Sequence, residues 1–201
     1  MATIRVPEVV PSPPEDCEKL TKAFKGLGTD EKAIIRVARG RKSKRQQIYN
    51  KSLIFCLDSE LSGDFGRTVI LWAYDPPERD ARLANKALKS WKKNITELQV
   101  LVEIACASSP HHLAAVRHPY CVLFERSLEE DIISNEFLPV QKDIRACGKG
   151  ILESILKVVV WCIDSPERHF MEVVRASIVG EDSLTRAIVT RAEIDMMKVR
   201  G

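Results

Sequence analysis

Hydrophobic side chains recur at helical spacing along most of the chain, and no stretch alternates hydrophobic and polar residues as a strand does. Cys17, Leu20 and Phe24 follow the i, i+3, i+7 spacing of one helical face, and this segment ends at Gly26. A second helix is predicted to start at Thr29, whose hydroxyl can cap its first turn. The pattern therefore predicts an all-α protein.

Later segments carry helix-start signals of their own. Asp75 is predicted to be an N-cap, with Pro76 at the first helical position and Glu78 at the capping-box position. Two more helices are predicted over residues 96–107 and 110–125. These signals indicate a series of short helices joined by tight connections.

Parts of the helical pattern repeat within the chain. The matching pairs of segments are 69–79 with 158–168, 33–38 with 100–105, and 31–36 with 181–186. Their offsets are 89, 67 and 150 residues, so a helical unit of about 70 residues occurs more than once. The step from 67 to 150 is 83 residues, too long for one unit and too short for two. A segment is therefore predicted to be missing between residues 134 and 155.

Three motifs follow one another in the first 80 residues. They are Lys25-Gly-Leu-Gly-Thr-Asp-Glu31, then Ser59-Glu-Leu-Ser-Gly-Asp-Phe65, then a helix start that runs from Trp72 to Arg79. In this order they resemble an annexin repeat, and the proline-rich lead resembles the plant branch of that family. The resemblance implies a curved, all-α disc of four helical repeats that binds anionic phospholipid through calcium on its convex face.

The resemblance also suggests how the chain is divided. Residues 1–14 carry four prolines and are predicted to form a flexible arm. Residues 15–83 resemble a first repeat, and residues 84–150 resemble part of a second one. Residues 151–201 resemble the end of a third repeat and the start of a fourth. The hypothesis is an internally shortened, incomplete annexin-like array in which only the first repeat is nearly complete.

The Gly-x-Gly turn suggests a calcium site. Glycine permits the positive φ that turns backbone carbonyl oxygens outward, and Ca²⁺ takes six to eight oxygen ligands. By the resemblance, the carbonyls come from Phe24, Gly26 and Gly28, and a bidentate carboxylate comes from Glu60. A calcium ion open on its outer side would then bridge to a phospholipid headgroup.

Other features of the sequence leave alternatives open. Gly-Leu-Gly-Thr can also form an ordinary helix corner with a threonine cap. Gly26 and Glu60 lie 34 residues apart, closer than in the family, so the helix that carries Glu60 could dock differently. Asn135 aligns with Glu60 in the second copy, and the last copy keeps a lone Gly180 in its loop. No calcium site is predicted in either later copy.

The composition disfavours nucleic-acid-binding, membrane-spanning and secreted proteins. The 201 residues carry a net charge of +3, too small to indicate nucleic acid as a specific partner. The longest uninterrupted apolar stretch, residues 158–163, is far too short to span a membrane, and the first residues lack a signal-peptide core. A cytoplasmic protein that associates peripherally with membranes is predicted. The six cysteines contain no C-x₂-C pair and are predicted to be reduced and buried.

No catalytic set stands out, so the chain is predicted not to be an enzyme. The adjacent His111 and His112 are predicted to be surface or cap residues, His169 partly exposed and Trp161 a core residue. The basic run at residues 39–45 is predicted to be a solvated turn, with contact to phosphatidylserine, RNA or an import receptor as alternatives.

Three functions are compared. The first is calcium-dependent binding to anionic phospholipid membranes. The second is a helical-repeat module that binds protein partners after its calcium sites have degenerated. The third and weakest is a redox enzyme that uses a cysteine. The sequence gives no prediction of the oligomeric state.

Overall fold

The computed structural model describes residues 18–19, 22–23, 30, 32–33, 54–55, 57–90, 95–134, 151–177, 181–192 and 194–199. Helices with both ends in these segments are α1 (Gly63–Ala73), α2 (Pro76–Lys89), α3 (Ile95–Cys106), α4 (Pro110–Phe124), α5 (Leu128–Ser134), α6 (Ile151–Asp164), α7 (Pro166–Ala176), α8 (Glu181–Arg191) and α9 (Met196–Val199). No strand occurs in the described segments, and the all-α class is confirmed.

The predicted helix starts agree with the structure. Helix α2 begins at Pro76, directly after Asp75, and carries Glu78 in its first turn. Helix α4 begins at Pro110, and the hydroxyl of Ser109 accepts a hydrogen bond from the backbone N–H of His112 at 3.2 Å. Both start signals lie within a few residues of the helix start, which is why the local sequence predicts them.

Residues Met1–Asp75 and Val173–Gly201 form one compact unit. Its described core is a cluster of buried side chains from Ala23, Leu57, Leu61 and Val69. Helix α8 packs against α1, and the hydroxyls of Thr68 and Thr185 lie 3.3 Å apart between them. Residues distant in sequence therefore share this unit.

Residues Pro76–Glu172 form a second compact unit. Helix α2 packs against α3, α4 and α5, and α6 packs along α3. Its core cluster is formed by Ala81, Ala84, Leu88, Ile104, Val116 and Tyr120. The small residues on α2 allow the neighbouring helices to approach it closely.

A buried polar network joins α2, α4 and α5. The Tyr120 hydroxyl donates to Asp131 Oδ2 at 2.7 Å and accepts from Asn85 Nδ2 at 3.2 Å. Arg126 Nε lies 3.1 Å from Asp131 Oδ1. The hydrogen bond from Tyr120, together with the charges of Lys89 and Arg126, holds the pKa of Asp131 below its ordinary value. Burial and the bond to Asp131 raise the pKa of Tyr120 to about 12.

Three side chains differ from the prediction in their burial. His169 is buried, not partly exposed, because its Nε2 lies 2.8 Å from Oε1 of the buried Glu103. Trp161 is 37% exposed, not a core residue, and the ammonium of Lys157 lies 4.6 Å from its ring centre. Cys121 is exposed, whereas Cys162 is buried as predicted.

Candidate functional site

Of the four residues predicted to bind calcium, Glu60 lies among the described residues. It is the last residue of the helical segment 57–60, and its side chain is exposed. Within the described part of the chain, no side chain forms an ion pair or hydrogen bond with its carboxylate. Phe24, Gly26 and Gly28 lie outside the described residues. Residues 39–45, the basic run, lie outside them as well.

A backbone hydrogen bond joins the two described residues that flank the Gly-x-Gly motif in the chain. The N–H of Asp30 donates to the carbonyl oxygen of Ala23 at 3.1 Å, so these two residues are in contact although they are seven positions apart in the chain. Asp30 also accepts a hydrogen bond from the N–H of Ala33 through Oδ1 at 3.0 Å. Asp30 therefore makes an N-cap contact, because its carboxylate reaches the N–H three residues ahead. Thr29, the predicted cap, lies outside the described residues.

Both flanks of this loop pack on the helix end that carries Glu60. Ala23 is buried in one cluster with Leu57 and Leu61, and Ala33 packs against the same cluster. Leu61 directly follows Glu60 in the chain. A single hydrophobic contact region thus connects the base of the glycine loop with the residue next to the predicted carboxylate ligand.

Two glycines shape the turn that follows Glu60. Gly63 has a φ of 65°, a left-handed conformation that favours glycine. At Gly66, a Cβ would meet the backbone carbon and the Cβ of Leu61 at 3.0 Å, so only glycine fits without a shift. Leu61 is fixed further by its N–H, which donates to the carbonyl of Leu57 at 2.9 Å. The role of Gly66 does not follow from the sequence, where its spacing of three from Gly63 is the only sign of it.

Glu60 and the Gly-x-Gly motif offer oxygen atoms as ligands for a cation. Glu60 offers a solvent-facing carboxylate, and a glycine-rich loop can offer backbone carbonyls, which suits Ca²⁺ better than softer metals. Among the residues that the structure describes, no group of three or more His, Cys, Asp or Glu side chains could hold a metal ion. None of the described helices is both long and apolar enough to cross a membrane.

Comparison with known sequences finds annexins. The annexin family profile matches residues 15–72 and 79–136. Annexin D3 of Arabidopsis thaliana is 43% identical over 287 aligned positions that cover all of this chain and 89% of the relative. Annexin D2 of the same plant is 31% identical over 284 positions with the same coverage. Since this chain has 201 residues, at least 287 − 201 = 86 positions of the first alignment have no residue here.

Comparison with solved structures shows the same fold. Annexin III has a TM-score of 0.78 and 20% identity, and the match covers 99% of this chain and 87% of that one. Chicken annexin V has a TM-score of 0.76 and 22% identity, with 99% and 88% covered. Calcium-bound annexin (Sm)1 has a TM-score of 0.71 and 19% identity, with 99% and 84% covered.

Proposed function

The chain belongs to the annexin family, and from this premise we propose that it binds anionic phospholipid membranes through one calcium ion held by the carbonyls of Phe24, Gly26 and Gly28 and the carboxylate of Glu60. Calcium-dependent phospholipid binding is the general function of the family, whose members are mostly membrane-binding proteins without enzymatic activity. The plant annexins named above are its relatives.

One observation carries the assignment of these residues. Asp30 is hydrogen-bonded to Ala23, and Ala23 is buried in one cluster with Leu61, the residue that follows Glu60. This contact supports a position of the helix that bears Glu60 beside the Gly-x-Gly motif, although Gly26 and Glu60 are closer in sequence than in the family. This packing supports a shared site for the carbonyls and the carboxylate.

The charges at the site also favour calcium. Glu60 is exposed and its carboxylate is not engaged by another described side chain, so a cation can approach without first breaking an ion pair. Calcium supplies the positive charge that draws a lipid phosphate to the protein, while the protein provides part of the oxygen shell. Annexin (Sm)1, which shares this fold, has been solved with calcium bound.

The proposal is limited to one site in each chain. Asn135 replaces the carboxylate in the second copy, and an amide contributes no negative charge to balance the cation. The loop of the last copy keeps only Gly180 of the two glycines. Binding to vesicles should therefore depend on Glu60 alone among the carboxylates at equivalent positions.

Co-sedimentation with phosphatidylserine vesicles tests the proposal. The wild-type chain should pellet with vesicles in calcium and remain in solution in a chelator. Glu60→Gln should lower the pelleted fraction at least about tenfold at a limiting calcium concentration, since it removes the only charged ligand. Asp58→Asn is the matched control, because Asp58 is exposed on the same helical segment and should bind as the wild type does.

Two results would contradict the proposal. Equal pelleting of the wild type with calcium and with chelator would remove calcium from the function. Equal loss of binding in Glu60→Gln and Asp58→Asn would show that general surface charge, not a specific ligand, controls the attachment.

A further inference from the structure

Helix α6 has an exposed apolar stripe. Leu156, Val160 and Ile163 are 54%, 60% and 67% exposed. Their spacing of four and three residues places them on one face of the helix. Trp161 borders this stripe and is 37% exposed. A continuous row of this kind differs from the isolated apolar residues found on most protein surfaces.

The opposite face of the same helix is buried within the second unit. Val158 and Cys162 are buried, and α6 packs along α3 in the second unit. Helix α6 is therefore apolar on two faces, of which the chain itself covers one. The exposed apolar face therefore has no covering partner among the described residues of this chain.

The relatives offer a reason for the uncovered face. The family profile ceases to match at residue 136, and α6 begins at residue 151. At least 86 positions of the alignment with annexin D3 are absent from this chain. A shortened chain has fewer residues of its own with which to cover the second face of α6.

We propose that the stripe on α6 binds the same stripe of a second copy of this chain, with the two helices antiparallel and Val160 at the two-fold axis. In such an isologous contact, residues face each other when their numbers have a constant sum. Around Val160 the sum is 320, and Leu156 with Ile163 gives 319. The apolar stripe is thus complementary to itself.

The charged residues beside the stripe fit this register too. The residue numbers of Lys157 and Asp164 add to 321, so the ammonium of each copy would lie opposite the carboxylate of the other. Both residues are exposed in the single chain. A parallel arrangement would instead place equal charges side by side. The pattern of charges therefore favours a second, antiparallel copy over a partner of another kind.

Sedimentation equilibrium of the full chain, without calcium or lipid, tests the contact. We expect a dimer of twice 22.7 kDa with a dissociation constant on the order of 10 µM. Val160→Lys should weaken it at least about a hundredfold, because two ammonium groups would meet at the axis. Val122→Lys is the matched control: Val122 is 64% exposed on α4, away from the stripe, and its variant should dimerise normally.

A charge exchange tests the register. Lys157→Asp should weaken the dimer roughly fivefold, since two exposed pairs become repulsive. Adding Asp164→Lys to that variant should restore the wild-type constant. A chain that remains monomeric at concentrations far above the expected constant would overturn the proposal. A dimer that Val160→Lys leaves unaffected would also overturn it. Vesicle binding that persists in chelator but disappears with Val160→Lys would overturn it as well, because the stripe would then be a lipid contact.

Discussion

The residues that follow Glu60 fix the backbone next to its side chain. Leu61 is held in the core cluster with Ala23, and Gly66 leaves room for its backbone. The φ of 65° at Gly63 then sets the direction in which α1 leaves the turn. The glycines of the next turn thereby position the backbone beside Glu60, the proposed calcium ligand.

Gly66→Ala tests this dependence. The added methyl would lie 3.0 Å from the backbone of Leu61, and relieving that contact should cost about 1–3 kcal/mol of unfolding free energy. The same shift should weaken calcium-dependent vesicle binding, because Glu60 moves with Leu61. Urea unfolding and co-sedimentation measure the two effects.

Gly63→Asn is the control for that variant. Asn tolerates the left-handed conformation, and nothing lies within 4 Å of the added Cβ. It should retain vesicle binding with a small loss of stability. A Gly66→Ala chain as stable and as calcium-responsive as the wild type would contradict the role given to Gly66.

The Tyr120–Asp131 pair gives a prediction about pH. The folded-state pKa of Asp131 is below its ordinary value, so its contribution to stability is complete above that value and is lost as the pH falls towards the folded pKa. The pKa of Tyr120 is raised to about 12, so its contribution is lost as the pH rises from about 10 through 12.

Tyr120→Phe should make the unfolding free energy depend less on pH, both at low pH and at high pH. Removing the hydroxyl takes away the largest influence that lowers the pKa of Asp131, and it removes the group that titrates at high pH. Urea unfolding between pH 3 and 6 should show a smaller slope for the variant than for the wild type. Equal slopes for the variant and the wild type would mean that the pKa of Asp131 does not depend on Tyr120.

At the scale of helices, the starts of α2 and α4 could be predicted because their signals are local. Asp75, Pro76 and Glu78 lie in one turn, and Ser109 reaches the N–H of His112. The burial of His169 could not be predicted, because its partner Glu103 is 66 residues away. The same holds for the site, where the glycine motif is visible in sequence but the packing of Leu61 with Ala23 is not.

The cap of α4 gives a prediction of its own. Ser109→Ala removes the side-chain acceptor for the N–H of His112 and should lower the unfolding free energy by about 1 kcal/mol. Ser109→Asp keeps an acceptor there and should cost much less. Urea unfolding of the two variants makes the comparison, and equal losses would show that the hydroxyl does not act as the cap.

At the scale of the molecule, the internal repeats suggest how a shortened chain retains a closed core. By the offset of 89, α6 corresponds to α1, and by the offset of 67, α3 corresponds to the helix that carries Ala33. Ala33 packs against the cluster that includes Val69 of α1, and α6 packs along α3. We infer that the last helix of a later repeat has replaced that of the second repeat.

Two valines of α6 test this replacement. Val158 is buried and Val160 is exposed, although they lie two residues apart. Val158→Ala should lower the unfolding free energy by about 1–3 kcal/mol, whereas Val160→Ala should change it by less than about 0.5 kcal/mol when measured well below the concentration of dimer formation. Equal effects would mean that α6 does not close the core of its unit.

The central claim is that one calcium ion is held between the glycine loop and Glu60, and its most direct test is a count of bound calcium. Equilibrium dialysis in the presence of phosphatidylserine vesicles should give about one ion per chain for the wild type and for Asp58→Asn, and close to none for Glu60→Gln. A Glu60→Gln chain that binds as many ions as the wild type would contradict the claim.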